Sequence, residues 1–322
     1  MISAAERRYI EDGVLQNLRV DGRACTDFRP LDVEVGVVRT ALGSSRVRTS
    51  EADVMCCVKG ELSRPETDPE SGVVEVHVNS GSVVAADGLG GEKEKEAATQ
   101  QQNSELASQL NGFLQHSLSE DMRALCIVSG SLCWRLHIDV LVVDGRGLLL
   151  DICSVAVRAA LADTILPAVS LDSTTMGEGE EGDSEEEGVG RSGRRPTGAD
   201  LPKVEIDERA DAGPRLTAGA AGGSAPVCVT AAVLAGSAVW DPSAPEVGCA
   251  EALVTIAVDG QGLCLGMRRS GQGVLDASAL PSLVQRGCAL GKELQSRIQD
   301  VLQAQGAGKE AVNPHAMGFM AE

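Results

Sequence analysis

Aromatic side chains are scarce in this sequence. Its 322 residues include two Trp, one Tyr and three Phe, which together make up 2% of the chain. Proteins that bind single-stranded nucleic acid on their own usually stack the bases on exposed aromatic rings. The scarcity therefore argues against a stand-alone RNA-binding module. It also predicts a hydrophobic core built from Val, Leu, Ala and Cys.

Basic residues are also few compared with acidic ones. The chain has 28 Lys and Arg against 47 Asp and Glu, which gives a formal net charge of −19. Binding to nucleic acid depends on clustered basic side chains that contact phosphates. A role with RNA would therefore require basic partner proteins or a local basic patch.

Metal-binding spacings and membrane-spanning runs are missing as well. The ten Cys include no CxxC pair, and His77, His116 and His137 lie far apart in the sequence. Because zinc sites usually need closely spaced ligands, we predict no metal, no other cofactor, and thiols that are free and mostly buried. No apolar run approaches the roughly 20 residues of a membrane span. These features favour a cytosolic or nuclear protein without membrane contact.

The most regular pattern in the chain lies in residues 134–167. Apolar and polar residues alternate over 134–142, which predicts a strand with one buried face. The pair Asp144-Gly145 favours a hairpin turn, so residues 148–150 are predicted to return as a short second strand.

A helix is expected to follow this hairpin. Asp151 is the expected N-cap, and Pro167 is a stop signal. Between them, apolar residues recur with helical spacing at Ile152, Val155, Ala156, Ala159 and Ala160. The small residues on this side of the helix, Cys153, Ala156, Ala159 and Ala160, would let the helix lie close to a sheet.

Similar patterns organise the rest of the chain into two halves. A capping box at Ser3 and Glu6 predicts a first short helix. Further strands are predicted over 31–38, 54–58, 73–78, 125–128, 227–234, 237–240, 253–258 and 263–267. Two long helices are predicted over 94–116 and 276–305, the second one ending at Gly306. Strands followed by a helix in each half indicate an α+β fold with two units of similar plan.

The two halves are separated by a segment of different composition, residues 172–223. Seven of the ten residues in 178–187 are acidic, and few large apolar side chains occur in the whole segment. Such a segment buries too little surface to order itself. We predict an N-terminal domain over 1–171, an acidic low-complexity insertion over 172–223, a C-terminal domain over 224–306 and a flexible tail over 307–322.

Several motifs, in the same order along the chain, resemble those of RNase PH-like exosome ring subunits. They are LRVDGR at 18–23, GSSRVRTSEADVMCCVKGEL at 43–62, LHIDVLVVDGRGLLLDICSVAVRAAL at 136–161, VWDPSAPEVGCAEALVTIAV at 239–258 and MRRSGQGVLD at 267–276. The resemblance implies an RNase PH-like fold of two subdomains. It also implies a hetero-hexameric ring with other RNase PH-like subunits, RNA-binding cap subunits and an associated nuclease, with single-stranded RNA in the channel. The implied locations are nucleus, nucleolus and cytoplasm.

The same resemblance lets the catalytic positions be compared. Active members carry an aspartate pair, which falls here on Asp241 and Glu251, and two arginines, which fall on Leu89 and near Gln115-His116. Phosphate needs cationic partners, so we expect a structural subunit that is not an enzyme. The alternative is a phosphorolytic 3′-5′ exoribonuclease with a composite site, in which Asp241 and Glu251 would act together with a neighbouring subunit.

Four basic residues are weak candidates for RNA contact. Arg46 and Arg48 lie two apart on one strand, Lys59 lies nearby, and Arg23 belongs to the LRVDGR motif. A solvated strand face and a salt bridge within the turn are the simpler interpretations of these residues. A third functional hypothesis is an acidic adaptor that acts through residues 172–223.

Overall fold

The computed structural model describes residues 2–65, 68–81, 92–171, 204–207 and 225–310. The helices in this part of the chain are α1 Ala4–Leu15, α2 Glu92–Ser117, α3 Ser119–Ala124, α4 Leu149–Asp163, α5 Ala244–Cys249 and α6 Leu280–Glu310. The strands are β1 Asp32–Val35, β2 Gly43–Arg48, β3 Ala52–Ser63, β4 Val73–Ser80, β5 Cys126–Val128, β6 Leu132–Gly145, β7 Ala168–Leu171, β8 Val204–Asp207, β9 Val227–Leu234, β10 Ser237–Trp240, β11 Ala252–Val258 and β12 Cys264–Ser270. None of these helices has the length and apolarity that a membrane crossing needs.

The N-terminal half is built on a sheet with the order β1-β2-β3-β6-β4, and β5 pairs with β6. Strand β4 runs parallel to β6, whereas the other pairs are antiparallel. Apolar and polar residues alternate along β6, so the strand has one buried face. Leu136, Ile138 and Val140 lie on that face and are fully or almost fully buried. Helices α2 and α4 pack against the sheet. We call the opposite face, which carries His137 and Asp139, the open face.

The C-terminal half is a four-stranded sheet with the order β10-β9-β11-β12, and α6 packs against it. Every residue of β9 is buried, which fits a central strand that is covered on both faces. Helix α4 contacts β9 as well as β2 and β3, so it lies between the two sheets. Cys153, Ala156, Ala159 and Ala160 in this helix are completely buried. The small residues of the predicted stripe thus allow the close approach that the sequence indicated.

The predicted hairpin at 148–150 is wrong, because the chain enters α4 at Leu149 directly after β6. Gly147, with a φ of 80°, turns the chain at this point. Leu149 and Leu150 are buried in the core as helical residues. The helix N-cap is Leu148 and not Asp151, which lies in the first turn. Burial of the two leucines therefore decided the conformation over the local turn signal.

Most other predicted elements are confirmed with small changes of their ends. The capping box of α1 is present, and β9 and β10 have the predicted bounds. Strand β1 is shorter than predicted, whereas β3 is longer. Helix α6 begins at Leu280, four residues later than expected, and continues past Gly306 to Glu310.

Four described elements were not predicted, namely α3, α5, β7 and β8. Helix α5 has only six residues, and Ser243 and Glu246 form a capping box at its N-terminus. Strand β8 lies inside the predicted acidic insertion and pairs with β7 in antiparallel orientation. The remainder of the predicted insertion, residues 82–91 and residues 311–322 of the predicted tail lie outside the described residues.

Candidate functional site

The segment between α1 and β1 crosses to the C-terminal half and brings three arginines to two acidic residues. Its path is fixed by main-chain pairing, because the Trp240 amide donates to the Cys25 carbonyl at 2.8 Å. We call Arg19, Arg23, Arg29, Asp241 and Glu246 the junction cluster. Its members come from both halves of the chain, so the cluster connects the two halves through charged side chains.

The Arg19 and Glu246 side chains form the most buried ion pair of the junction cluster, with 0% and 2% of their surfaces exposed. Arg19 Nε and one terminal nitrogen donate to the two Glu246 carboxylate oxygens at 2.8 and 2.6 Å. The guanidinium also donates to the carbonyls of Trp240 and Asp241, at 3.0 and 2.9 Å. Such a pair is tolerable in the interior because its hydrogen-bonding groups find partners.

Asp241, the first candidate catalytic acid, belongs to this network. Arg29 donates to its carboxylate from the backbone amide at 2.8 Å and from Nε at 2.9 Å. Arg23 donates to the same carboxylate at 2.7 Å. Both oxygens are therefore occupied by charged or backbone donors. The predicted turn salt bridge is also present, since Arg23 contacts Asp21 at 2.7 Å.

Two further observations describe how firmly Asp241 is held. Its φ of 48° lies in the left-handed region, which is uncommon for a residue other than glycine. Its amide donates to the Thr230 carbonyl at 3.1 Å. Burial alone would lower the pKa of Arg29, but its hydrogen bonds to Asp241 and Glu51 raise the pKa overall. Arg29 therefore stays charged beside Asp241.

Glu251, the second candidate acid, lies at a different place on the C-terminal sheet. Its amide donates to the Val233 carbonyl, three residues along β9 from the Thr230 carbonyl that binds Asp241. The two acids also lie on opposite sides of β9, since β10 and β11 both pair with it. The separation of their backbones is about 10 Å along β9 and about 10 Å across it. The structure does not bring Asp241 and Glu251 together as a metal-binding pair.

A cleft beside Glu251 is mainly apolar. The Gly273 amide donates to the Glu251 carbonyl at 2.7 Å and ties the loop after β12 to this position. Gly273 also lines the cleft, together with Val254, Met267, Arg269, Gln272, Val274, Leu275, Ala277 and Leu280. Arg269 is the only cationic side chain in this set, and it donates to the Gly273 carbonyl. The lining therefore lacks the group of cations that phosphate binding requires.

Asp151 is an ionisable residue that the sequence analysis treated only as a helix cap. Its carboxylate accepts hydrogen bonds from the Thr230 amide at 2.8 Å and from the Thr230 hydroxyl at 2.7 Å. Desolvation by the surrounding protein raises the pKa of Asp151 to about 7, although the Thr230 bonds act in the opposite direction. No local sequence signal distinguishes it from an ordinary N-cap aspartate.

The basic residues predicted to face RNA are each paired with an acid. Arg46 makes two bonds to Asp53, at 3.0 and 2.7 Å. Arg48 contacts Asp32 and Glu34. Because these strands pair in register, the acids lie beside the arginines on the same open face.

Lys59 does not join Arg46 and Arg48 in one patch. It forms an ion pair with Asp139 at 2.7 Å. Arg46 is the register partner of Met55, which lies four residues from Lys59 along β3, a distance of about 13 Å. Arg23 lies in the junction cluster. The candidate basic residues are therefore distributed over three places.

Of the two positions at which the family resemblance implied arginines, one can be located. Gln115 and His116 lie in the last turns of α2 and are exposed. Leu89 lies outside the described residues.

Two of the histidines, although far apart in the sequence, lie close together in the fold. The parallel pairing of β4 with β6 places the rings of His77 and His137 6.0 Å apart in a stacked arrangement. Sixty residues separate them in the sequence, so ligand spacing gave no sign of their contact.

Comparison with known proteins identifies the fold. A family model described as 3′ exoribonuclease family, domain 1, matches residues 27–167, and domain 2 of the same family matches residues 224–280. The exosome complex component Rrp42 of Methanocella arvoryzae is 27% identical over 304 residues, which are 94% of this chain and 97% of the relative. The component of that name from Sulfurisphaera tokodaii is 27% identical over 274 residues, 85% of this chain and 86% of the relative.

A solved structure supports the same assignment. A chain of the Archaeoglobus fulgidus exosome, solved with RNA bound to the active site, matches with a TM-score of 0.62 at 22% identity. The match covers 90% of this chain and 96% of that chain. The two domain matches flank the acidic segment, as the sequence predicted, and cover more than half of the protein. The chain therefore belongs to the RNase PH, or 3′ exoribonuclease, family.

Proposed function

We propose that this chain is a structural subunit of an exosome-type ring and does not itself cleave RNA. The observation that carries the proposal is that the Asp241 carboxylate is engaged by arginines. Its carboxylate oxygens accept hydrogen bonds from Arg23 and Arg29, so the residue that would act in catalysis joins the two halves of the fold.

The surroundings of the other candidate positions support this proposal. Phosphorolysis needs cations that hold phosphate and acids that hold a metal or move a proton. Glu251 lies apart from Asp241, and the sequence has Leu89 and Gln115-His116 where the family resemblance implied arginines. A Glu also reaches farther than an Asp, whereas metal ligands must be placed within a few tenths of an ångström.

The proposed assembly is a hetero-hexameric ring with other RNase PH-like chains. RNA-binding cap subunits and a separate nuclease would complete it, and the ring would guide single-stranded RNA for processing and decay, including ribosomal RNA maturation. Relatives of nearly full length bear the name of an exosome component. With a net charge of −19, the chain would depend on basic partners for phosphate binding. We propose nucleus, nucleolus and cytoplasm as its locations.

Purification of the tagged chain from the cells that make it tests this assembly. The expected result is a complex with several RNase PH-like chains at one copy each, together with a separate nuclease, measured by native mass spectrometry. A monomer or a homo-hexamer that shortens RNA only when phosphate is added would contradict the proposal.

The enzyme alternative is tested in the assembled complex. Glu251 is exposed and makes its described hydrogen bonds through the backbone, so Glu251→Gln removes the charge with little structural effect. Phosphate-dependent shortening of a 5′-labelled RNA should be the same for the variant and wild-type rings. A large loss with Glu251→Gln, in a ring of unchanged composition, would favour the composite phosphorolytic site.

A further inference from the structure

Two histidines and two glutamates meet on the open face of the N-terminal sheet. Glu75 and His77 alternate on β4 and therefore point to the same side. His137 on β6 is the register partner of Glu75. Glu61 on the neighbouring β3 approaches His137 from the other side, with 3.2 Å between its carboxylate and His137 Nε2.

The distances among Glu75, His77 and His137 suit a common metal ion. One ligand atom of each residue lies within 4.8 Å of the other two. Glu75 Oε2 is 3.6 Å from His137 Nδ1 and 3.9 Å from His77 Nε2. Tetrahedral zinc with bonds of about 2.1 Å needs ligand atoms about 3.4 Å apart. Rotation of the His77 and Glu75 side chains, which are 60% and 37% exposed, would bring the ligand atoms to this spacing.

Glu61 is placed to orient one of the ligands. A histidine that binds a metal through one ring nitrogen usually donates its other N–H group to a carboxylate. Here His137 turns Nδ1 towards Glu75 and Nε2 towards Glu61. Binding through Nδ1 would leave the Nε2 hydrogen for Glu61, so the pair already has the orientation that a metal site needs.

The charges around the cluster also favour a cation. Arg135 donates to Glu75 Oε1 at 3.0 Å, which leaves Oε2 facing the two histidines. Lys59 is paired with Asp139, the register partner of His77. Among these groups, the carboxylates of Glu61, Glu75 and Asp139 outnumber the cations of Arg135 and Lys59.

We propose that Glu75, His77 and His137 bind one divalent transition metal ion, for which Zn²⁺ is the best match to two imidazoles and a carboxylate. Glu61 positions His137, and water completes the coordination. Such an ion would link β4, an edge strand of the sheet, to β6 through side chains as well as backbone pairing. Binding should therefore raise the melting temperature of the folded chain.

Isothermal titration of the full chain with ZnCl₂, under a phosphine reductant that keeps thiols free, tests the site. His77→Gln and His137→Gln should each abolish one binding event or weaken it by at least about tenfold. His116→Gln is the matched control, because it removes an exposed histidine from α2, and it should bind like the wild type. Glu61→Gln should weaken binding less than either ligand variant does. A gain in melting temperature with Zn²⁺ should accompany binding and be lost in the same two variants.

Cysteine binding is the main competing explanation, since the chain has ten free thiols. Co²⁺ separates the two cases, because thiolate ligands add intense near-ultraviolet charge-transfer bands that imidazole and carboxylate ligands lack. The expected spectrum shows the visible bands of bound Co²⁺, which disappear in His77→Gln and His137→Gln. Thiolate bands alone, equal Zn²⁺ binding by wild type and both variants, or absence of binding by the wild type would overturn the proposal. None of these results bears on ring assembly.

Discussion

Ion pairs in the junction cluster and on the open face have the same chemistry in opposite surroundings. The Arg19 and Glu246 side chains are almost completely buried, whereas the Arg48 and Asp32 side chains are 39% and 61% exposed. Removing water makes an unpaired charge costly, so buried partners depend on each other. Exposed partners remain in contact with water, so each charge can leave its partner and bind water or a ligand instead.

This difference separates positions that maintain the fold from positions that are available for function. Asp241 lies in the first group although family resemblance suggests a catalytic role for it. The histidines of the open face lie in the second group although the sequence suggested no role. A charged residue in this chain is therefore better interpreted from its burial and partners than from its motif alone.

The largest effect should follow when the most buried pair is broken. Glu246→Ala leaves the Arg19 guanidinium buried without its carboxylate, which should lower the free energy of unfolding by about 3–5 kcal/mol. Chemical denaturation of the purified chain measures this loss. Arg8→Ala removes an exposed helix pair with Asp12 and should leave the midpoint nearly unchanged. Equal effects of the two variants would show that burial does not distinguish these pairs.

Asp241→Asn should have the next largest effect. Asn tolerates a positive φ, but it accepts only neutral hydrogen bonds from Arg23 and Arg29. We expect a loss of about 1.5–3 kcal/mol in unfolding free energy. Glu251→Gln, at the other candidate acid, should lose less than about 0.5 kcal/mol. If Asp241→Asn were as stable as wild type, the assigned structural role of Asp241 would be wrong.

Asp151 should make stability depend on pH. The pKa of an ordinary aspartate is 3.8, and that of Asp151 in the folded chain is about 7. Between these two pH values the folded state therefore holds a proton on Asp151 that the unfolded state has lost. Stability contributed by protonated Asp151 should therefore fall as pH rises from about 4 to about 7. Asp151→Asn can keep the Thr230 contacts without ionising, and its melting temperature should fall less over this range.

The control for this pH series is Asp12→Asn, which removes an exposed charge. Its melting curve should follow that of the wild type at every pH. A pH profile of Asp151→Asn that runs parallel to the wild-type profile would show that Asp151 ionises normally in the folded protein.

The smallest effect on stability is expected on the open face. Arg46→Gln breaks a partly exposed pair with Asp53, whose side chains are 32% and 21% exposed, so the melting temperature should change little. If Arg46 contacts RNA, the variant ring should bind single-stranded RNA more weakly and with a reduced salt dependence. Arg8→Gln, on the exposed face of α1, is the matched control for charge. Equal RNA binding by the two variant rings would show that Arg46 does not contact the RNA.

Local patterns predicted most of the elements, because strand and helix periods are written in neighbouring residues. They failed at 148–150, where a turn signal competed with burial of Leu149 and Leu150. They also missed α5, which is too short to show helical periodicity. Motif comparison aligned Asp241 with an aspartate of the active family members. It could not show that Arg23 and Arg29 donate hydrogen bonds to the Asp241 carboxylate.

By itself, the sequence determined the plan of two α+β units, the acidic composition of the segment between them, and the family. Each depends on residues close together in the chain or on the order of motifs. The tertiary structure decided which charges meet. Arg19 and Glu246 are 227 residues apart in the chain, and His77 and His137 meet because β4 pairs with β6. Such contacts depend on the path of the whole chain, since folding places distant residues side by side and removes the water between them.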